Sequence, residues 1–281
     1  MIRIDRGQPD ALGAQALAGV EASALASLRA LGRPPTQADL EPFDYRIAGD
    51  LLQRRQHFKC AYCENTEQRK RNDVEHFRPK SRALRTPGSP QTDGYWWLAW
   101  RWDNLLFACR NCNQSQPGGG GKLDKFPLAQ GSGVLVPEQD PYGAHAAVEQ
   151  TLLIDPARES GVDLIEYKRA QLAGGAERWT PIARNGSLRG AETIRVCGLD
   201  RDDLVELYNA HVETTVRPWV NAFDDMVPTT SPNQLAAQWS RIEQYLYAPG
   251  RPFVALSYDA LRTLVPDDEL SPHGIQRVVP R

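Results

Sequence analysis

Four cysteines stand as two C-x-x-C pairs, Cys60/Cys63 and Cys109/Cys112, and no other feature constrains the fold of this chain so strongly. Thiolates two residues apart on a tight turn can both reach one ion, so two such pairs suffice for a single tetrahedral Zn²⁺. An ion held this way closes the intervening segment into a loop fixed at its base. Inside that loop runs Val74-Glu75-His76-Phe77-Arg78-Pro79-Lys80, and Asn113 follows the last cysteine directly. An imidazole beside a carboxylate is the pair that metal-assisted hydrolysis uses.

The chain has 281 residues, 41% of them hydrophobic, enough to pack a core without disulfides. No stretch reads as a membrane span, and the opening Met1-Ile2-Arg3-Ile4-Asp5-Arg6 has no apolar signal core. The expectation is therefore a cytoplasmic protein with no membrane partner. Thiols stay reduced there, and paired C-x-x-C motifs bind metal more often than they form disulfides. Cys197 stands alone and reads as a buried structural thiol. The net charge of −2 hides an asymmetry: residues 50–85 hold ten Lys and Arg against five Asp and Glu, a local +5 that leaves −7 elsewhere. Positive charge gathered around the motifs suits a surface that meets phosphates, although a solvated basic face gives the same count.

Apolar spacing over residues 10–31 predicts a helix that stops before Pro34-Pro35, and a second runs from Tyr45 to Phe58 with Asp44 as its N-cap. Asp73–Phe77 and Leu105–Ala108 read as short strands, Arg82–Gly94 as an exposed loop, and the second cysteine pair opens a short helix. Four tryptophans between Trp96 and Trp102 read as core packing rather than base stacking. The tract from Pro117 through Gly118–Gly121 to Lys122 fails as a phosphate-binding loop, because Leu123 follows the lysine where Ser or Thr is needed, and it reads as a flexible connector. Further on, Thr151–Asp155, Val162–Tyr167 and Trp179–Ala183 read as strands. Helices follow at Ala191–Val196, from Arg201 to Val216 capped by Asp200, and at 233–247 and 256–264. This later half carries no cluster of reactive side chains and reads as scaffold or docking surface.

Phosphodiester hydrolysis needs a deprotonated water and neutralised transition-state charge. His76 has a pKa suited to the base. Glu75 and Asn113 offer oxygen ligands to a hard cation such as Mg²⁺ or Mn²⁺. Asn104 can bridge the two strands through its amide, and Arg78 and Lys80 stand where phosphate oxygens would lie. The plainer alternative is a non-catalytic zinc module that binds or recruits nucleic acid. The joint arrangement of cysteine pair, Glu-His, Asp-Asn-Leu, cysteine pair and Asn favours catalysis.

These residues resemble the HNH endonuclease family with its ββα-metal fold, in the version stapled by four cysteines. The resemblance implies His76 as general base, Glu75 and Asn113 as ligands of the catalytic metal, Asn104 as a mainly structural residue, and Cys60, Cys63, Cys109 and Cys112 as ligands of a structural zinc. The runs Cys60-Ala61-Tyr62-Cys63-Glu64, Tyr95-Trp96-Trp97-Leu98-Ala99-Trp100 and Phe126-Pro127-Leu128 extend it to the HNH effectors of Septu and retron-associated anti-phage systems. That likeness implies an ABC-type ATPase partner and a DNA or RNA substrate. The expected architecture is α+β: an N-terminal helical region over 1–50, an HNH core with its zinc site over 51–130, and a mostly helical α+β region over 131–281 that serves as scaffold or partner docking.

Overall fold

A computed structural model describes residues 1–66, 72–86, 88–114 and 120–280. Arg69, Lys70 and Arg71 of the basic segment and residues 117–119 of the glycine tract lie outside the described residues. The fold is α+β, with helices around, among the described residues, three small two-stranded antiparallel sheets and a cluster of four cysteines.

Helix α1 (Ala11–Arg29) starts where Asp10 accepts a hydrogen bond from the Gly13 amide. It seats Leu17, Ala24 and Leu28 in the core. The expectation that no stretch approaches a membrane span needs correcting: this 19-residue helix, whose most apolar 18-residue stretch has a mean hydropathy of 1.3, is long and apolar enough to cross one by length and composition alone. Alanines with a single mid-helix charge, Glu21, give it that character. After the short α2 (Gln37–Leu40), Asp44 caps a 3₁₀ turn that leads into α3 (Gly49–Arg55).

Strand β1 (Asn72–His76) pairs antiparallel with β4 (Leu105–Cys109), with His76 opposite Leu105 and Asn72 opposite Cys109. Strand β4 is buried on both faces. Leu106 and Ala108 enter the main core, while Leu105 and Phe107 join Leu17, Leu51, Leu52 and Trp102 in a smaller one under α1 and α3. Helix α4 (Arg110–Asn113) follows β4 at once, completing a β–β–α unit. Between β1 and β4 the expected exposed loop is partly zipped, since β2 (Arg82–Ala83) pairs with β3 (Thr92–Asp93). Gly94 ends that ladder against the chain at Pro79–Arg82, where a Cβ would lie 2.6 Å from the Pro79 carbonyl oxygen. All four tryptophans of the 96–102 run are buried, and the indole N–H groups of Trp97, Trp100 and Trp102 donate to backbone carbonyls. That is core packing, as expected.

In the later half β5 (Ile165–Gln171) and β6 (Glu177–Ala183) form a hairpin. Thr151–Asp155 is not a strand: only Thr151 bridges, to Leu128, and the Asp155 side chain turns the chain by accepting from the Ala157 amide. Helix α5 (Leu188–Cys197) ends at left-handed Gly198. Asp200 caps nothing; α6 (Asp202–His211) begins after Arg201 with no side-chain cap. The helix also runs past Val216, through a π-turn at Val212–Val216 into α7 (Arg217–Met226). Pro218 explains the wide turn, because it has no N–H for the ordinary bond four residues back. Helices α8 (Pro232–Leu246), α9 (Val254–Leu264) and α10 (Asp267–Leu270) complete the chain.

Candidate metal centre and hydrolytic site

The cysteine pairs converge. Cys60, Cys63, Cys109 and Cys112 are buried, with their sulfurs all within 4.8 Å of one another. Cys63 Sγ and Cys109 Sγ are 3.8 Å apart, which matches the edge of about 3.8 Å for a tetrahedron with Zn–S bonds of ~2.3 Å. Four soft donors with no oxygen or nitrogen among them suit a closed structural zinc. The knuckle is built by local pairing: Cys60 N–H donates to Asn65 O, Glu64 N–H to Cys60 O, and Ala61 N–H to Phe107 O. Gln56, just past α3, acts as a substitute strand. Its amide donates to Phe107 O at 2.9 Å, and its oxygen accepts from Phe107 N at 2.8 Å.

The centre is also tied to the later half of the chain. Arg201 Nη1 lies 3.5 Å from Cys112 Sγ, and Asn111 Nδ2 donates to Asp203 at 3.1 Å. Glu64, in a left-handed conformation at φ 62°, sends its carboxylate to the start of α9, accepting from the Val254 amide at 2.7 Å. An anion there satisfies helix donors that have no partner within the helix.

His76 is at the far end of the β1–β4 ladder from Cys109. Four residues of extended chain put roughly 13 Å between those ends, so the cysteine cluster and the imidazole are separate sites. The imidazole is buried, its ring 4.5 Å from that of Tyr45 in an edge-on contact. Nε2 lies 2.9 Å from the Ala99 carbonyl oxygen. A carbonyl only accepts, so Nε2 carries the proton and Nδ1 keeps its lone pair. Burial, helped by the nearby Lys80 charge, pushes the His76 pKa well below its ordinary value and keeps the ring neutral.

His76, Glu75, Lys80 and Asn113 line one cavity of about 150 Å³, together with Tyr45 and Asp124. Lys80 reaches it over the Tyr45 ring, 4.8 Å from the centroid. Asn113, half-buried, donates through Nδ2 to Asp73 at 3.0 Å, so the amide oxygen is not the end engaged there. Glu75 is 5% exposed, and its carboxylate meets the Lys122 ammonium at 2.6 Å. Burial pushes the Glu75 pKa up, against the pull of Lys122.

Asn104 is fully buried and makes four hydrogen bonds. Nδ2 donates to the carbonyls of Arg78 and Leu98 at 3.0 and 3.2 Å, and Oδ1 accepts from the Arg78 amide at 2.8 Å and from Tyr142 at 3.1 Å. It clamps the chain leaving His76 onto the start of β4.

Arg78 differs from expectation. Its guanidinium turns inward, 3.2 Å from Glu149 and 3.3 Å from the Tyr142 hydroxyl, and it stacks near Phe77 and Phe126. It is a packing residue here, and of the two side chains expected to meet phosphate Lys80 is the one that lines the cavity. The basic surface shrinks further because Lys59 is also buried. Lys122 carries no such signal in the sequence: the glycine tract reads as a connector, yet this lysine ends inside the protein. Glu149 and Tyr142, which hold Arg78 and Asn104, carry no sequence signal at their separations of 71 and 38 residues.

Fold and site thus define a β–β–α unit beside a four-cysteine cluster placed to hold a metal ion, with a histidine-bearing cavity at its edge. Over 174 residues, 61% of this chain and 52% of the other, the sequence is 29% identical to the Septu protein PtuB of Bacillus mycoides (strain KBAB4). The chain spans about half the length of this curated relative. No family model and no solved structure matches it.

Proposed function

We propose that the chain is a metal-dependent endonuclease of the HNH type, with β1, β4 and α4 as its ββα core. It would serve as the effector of an anti-phage defence system, in the cytoplasm, beside an ABC-type ATPase partner. The observation that carries the nuclease reading is the state of His76: Nε2 pinned to Ala99 O, Nδ1 free of a proton, and the ring in one cavity with Glu75, Lys80 and Asn113. The likeness to the Septu protein supports the defence role and the partner. Five free thiols, four of them gathered for a metal, support a reducing compartment.

In this mechanism His76 Nδ1 accepts the proton of the water that attacks phosphorus, and burial keeps it ready to do so at neutral pH. Lys80 meets a non-bridging phosphate oxygen. Asn104 holds the backbone that sets the imidazole. Glu75 and Asn113 offer a carboxylate and an amide oxygen, a donor set that suits Mg²⁺ or Mn²⁺. Such an ion, when bound, supplies charge neutralisation at the phosphate. The four cysteines hold zinc for structure alone.

The test is cleavage of DNA and of RNA by the zinc-loaded protein with Mg²⁺ or Mn²⁺. His76→Ala should lower the rate by ~10²–10⁴-fold, the usual worth of a positioned base, and leave zinc content and nucleic-acid affinity unchanged. A wild-type protein that binds nucleic acid but cuts neither kind is instead a zinc-dependent recruitment module.

A further inference from the structure

Lys122 has no part in the scheme above, yet it is the most tightly enclosed cation near the cavity. Its side chain is 0% exposed, a rare state for lysine outside an ion pair. Nζ lies 2.6 Å from Glu75 Oε1 and donates to the His76 carbonyl oxygen at 2.8 Å. The backbone fixes it as firmly: Lys122 N–H donates to Cys112 O and Leu123 N–H to Asn113 O, both at 2.8 Å. Gly120 and Gly121, at φ 87° and 81°, let the chain turn inward just before it. One residue therefore touches a zinc ligand's backbone, the strand end that carries the imidazole, and the carboxylate expected to hold a cation.

We infer that Lys122 is a positioning residue that acts as the internal counter-cation of Glu75, aiming its carboxylate and competing with a divalent ion for it. The inference rests on the proposed role of Glu75 and Asn113 as ligands. A buried carboxylate with no opposite charge is costly, and so is a buried ammonium; paired, each offsets part of the other's penalty. The same pairing sets a threshold for metal. An ion that takes Glu75 must displace or sit beside a like charge, so its binding is weakened in the resting protein. The anchor on the His76 carbonyl gives the ammonium a place to remain when the carboxylate is taken. This contact makes the cavity a conditional one, filled only when substrate phosphate or a higher ion concentration adds to the attraction.

The experiment is a Mn²⁺ titration of the zinc-loaded full chain, with free Mn²⁺ followed by electron paramagnetic resonance, so cleavage plays no part in the readout. Lys122→Gln keeps a donor for the His76 carbonyl and removes the charge. It should bind Mn²⁺ roughly tenfold more tightly or better, because a like charge a few Å away repels by more than thermal energy even at high effective permittivity. Glu75→Gln and Asn113→Ala should each weaken binding. A merely structural lysine predicts the opposite for Lys122→Gln, and unchanged or weaker Mn²⁺ binding by that variant overturns the inference. If Lys122→Gln melts too early to titrate, the double variant Lys122→Gln/Glu75→Gln decides. Removing both charges should restore the melting temperature, and failure to restore it refutes the pairing. Wild-type Mn²⁺ binding indifferent to Glu75→Gln and Asn113→Ala would remove the ligand assignment itself. Sensitivity to those two with no gain in Lys122→Gln removes only the role of Lys122.

Discussion

Replacing Asn104 by alanine isolates the structural part of the site from its chemistry. The side chain is fully buried and makes four hydrogen bonds, two donated and two accepted. Alanine removes all four and leaves the Arg78 amide, the Arg78 and Leu98 carbonyls and the Tyr142 hydroxyl short of a partner. A hydrogen bond is worth about 1 kcal/mol net, and a buried group left unpaired costs ~1–3 kcal/mol. Some groups will find water or each other, so the loss should come to about 4–6 kcal/mol, a large share of the ~5–15 kcal/mol that holds a domain. At ~2–4 °C per kcal/mol for a chain of this size, the melting temperature should fall by roughly 10–20 °C. Thermal unfolding of the zinc-loaded protein reads this directly. Asn113→Ala is the comparator: half-buried, with a single bond to Asp73 at 3.0 Å, it should cost about 1 kcal/mol or less. A melting temperature within about 3 °C of wild type for Asn104→Ala, with cleavage lost, would put Asn104 in the chemistry and refute the clamp.

Cys109→Ser should abolish stoichiometric zinc and unfold the central segment, since the binding energy of a structural zinc, ~10–16 kcal/mol in small fingers, is also folding energy; elemental analysis beside circular dichroism checks it, and full occupancy with unchanged melting refutes it. Asp155 should make the protein less stable as pH rises. Burial lifts its pKa to about 6, against the opposing pulls of the Ala157 amide and of Arg6, so between about 4 and 6 the folded state holds the proton more tightly than the unfolded one. Stability relative to Asp155→Asn should therefore fall by roughly 3 kcal/mol across that window, read by urea unfolding at pH 4 and pH 7; a difference that does not change with pH counts against it.

Local order made half of this protein legible in its sequence. The helix over α1, the strands β1 and β4, the short helix after Cys109 and the Gly198 stop each follow from a few adjacent residues, and the structure has them. Cysteine spacing reached further, because a shared metal is a long-range contact written in short-range code. Where a local signal had two outcomes, tertiary context decided. Thr151–Asp155 has strand-like residues, but the Asp155 side chain and Pro156 turn the chain there. Arg78 reads as a phosphate contact by its neighbours in sequence, and only Glu149 and Tyr142, far along the chain, turn it inward.

Lys122 shows where such reasoning stops. Its sequence context, four glycines before and Leu123 after, describes a loop, and a loop lysine is by default in water. What buries it is a coincidence of three contacts: its backbone N–H on the Cys112 carbonyl, and its ammonium on the His76 carbonyl and the Glu75 carboxylate. None of the three predicts a lysine alone, since each uses an ordinary acceptor. Together they make a place in the fold where a buried cation is favoured, beside the Glu75 carboxylate. The same logic applies to Glu64 and Arg201, which tie the zinc knuckle to α9 and to the start of α6. A chain that spends its charged residues in this way makes the later half part of the metal centre's support. Loss of zinc should therefore be felt at both helices, well beyond the loop that the cysteines close.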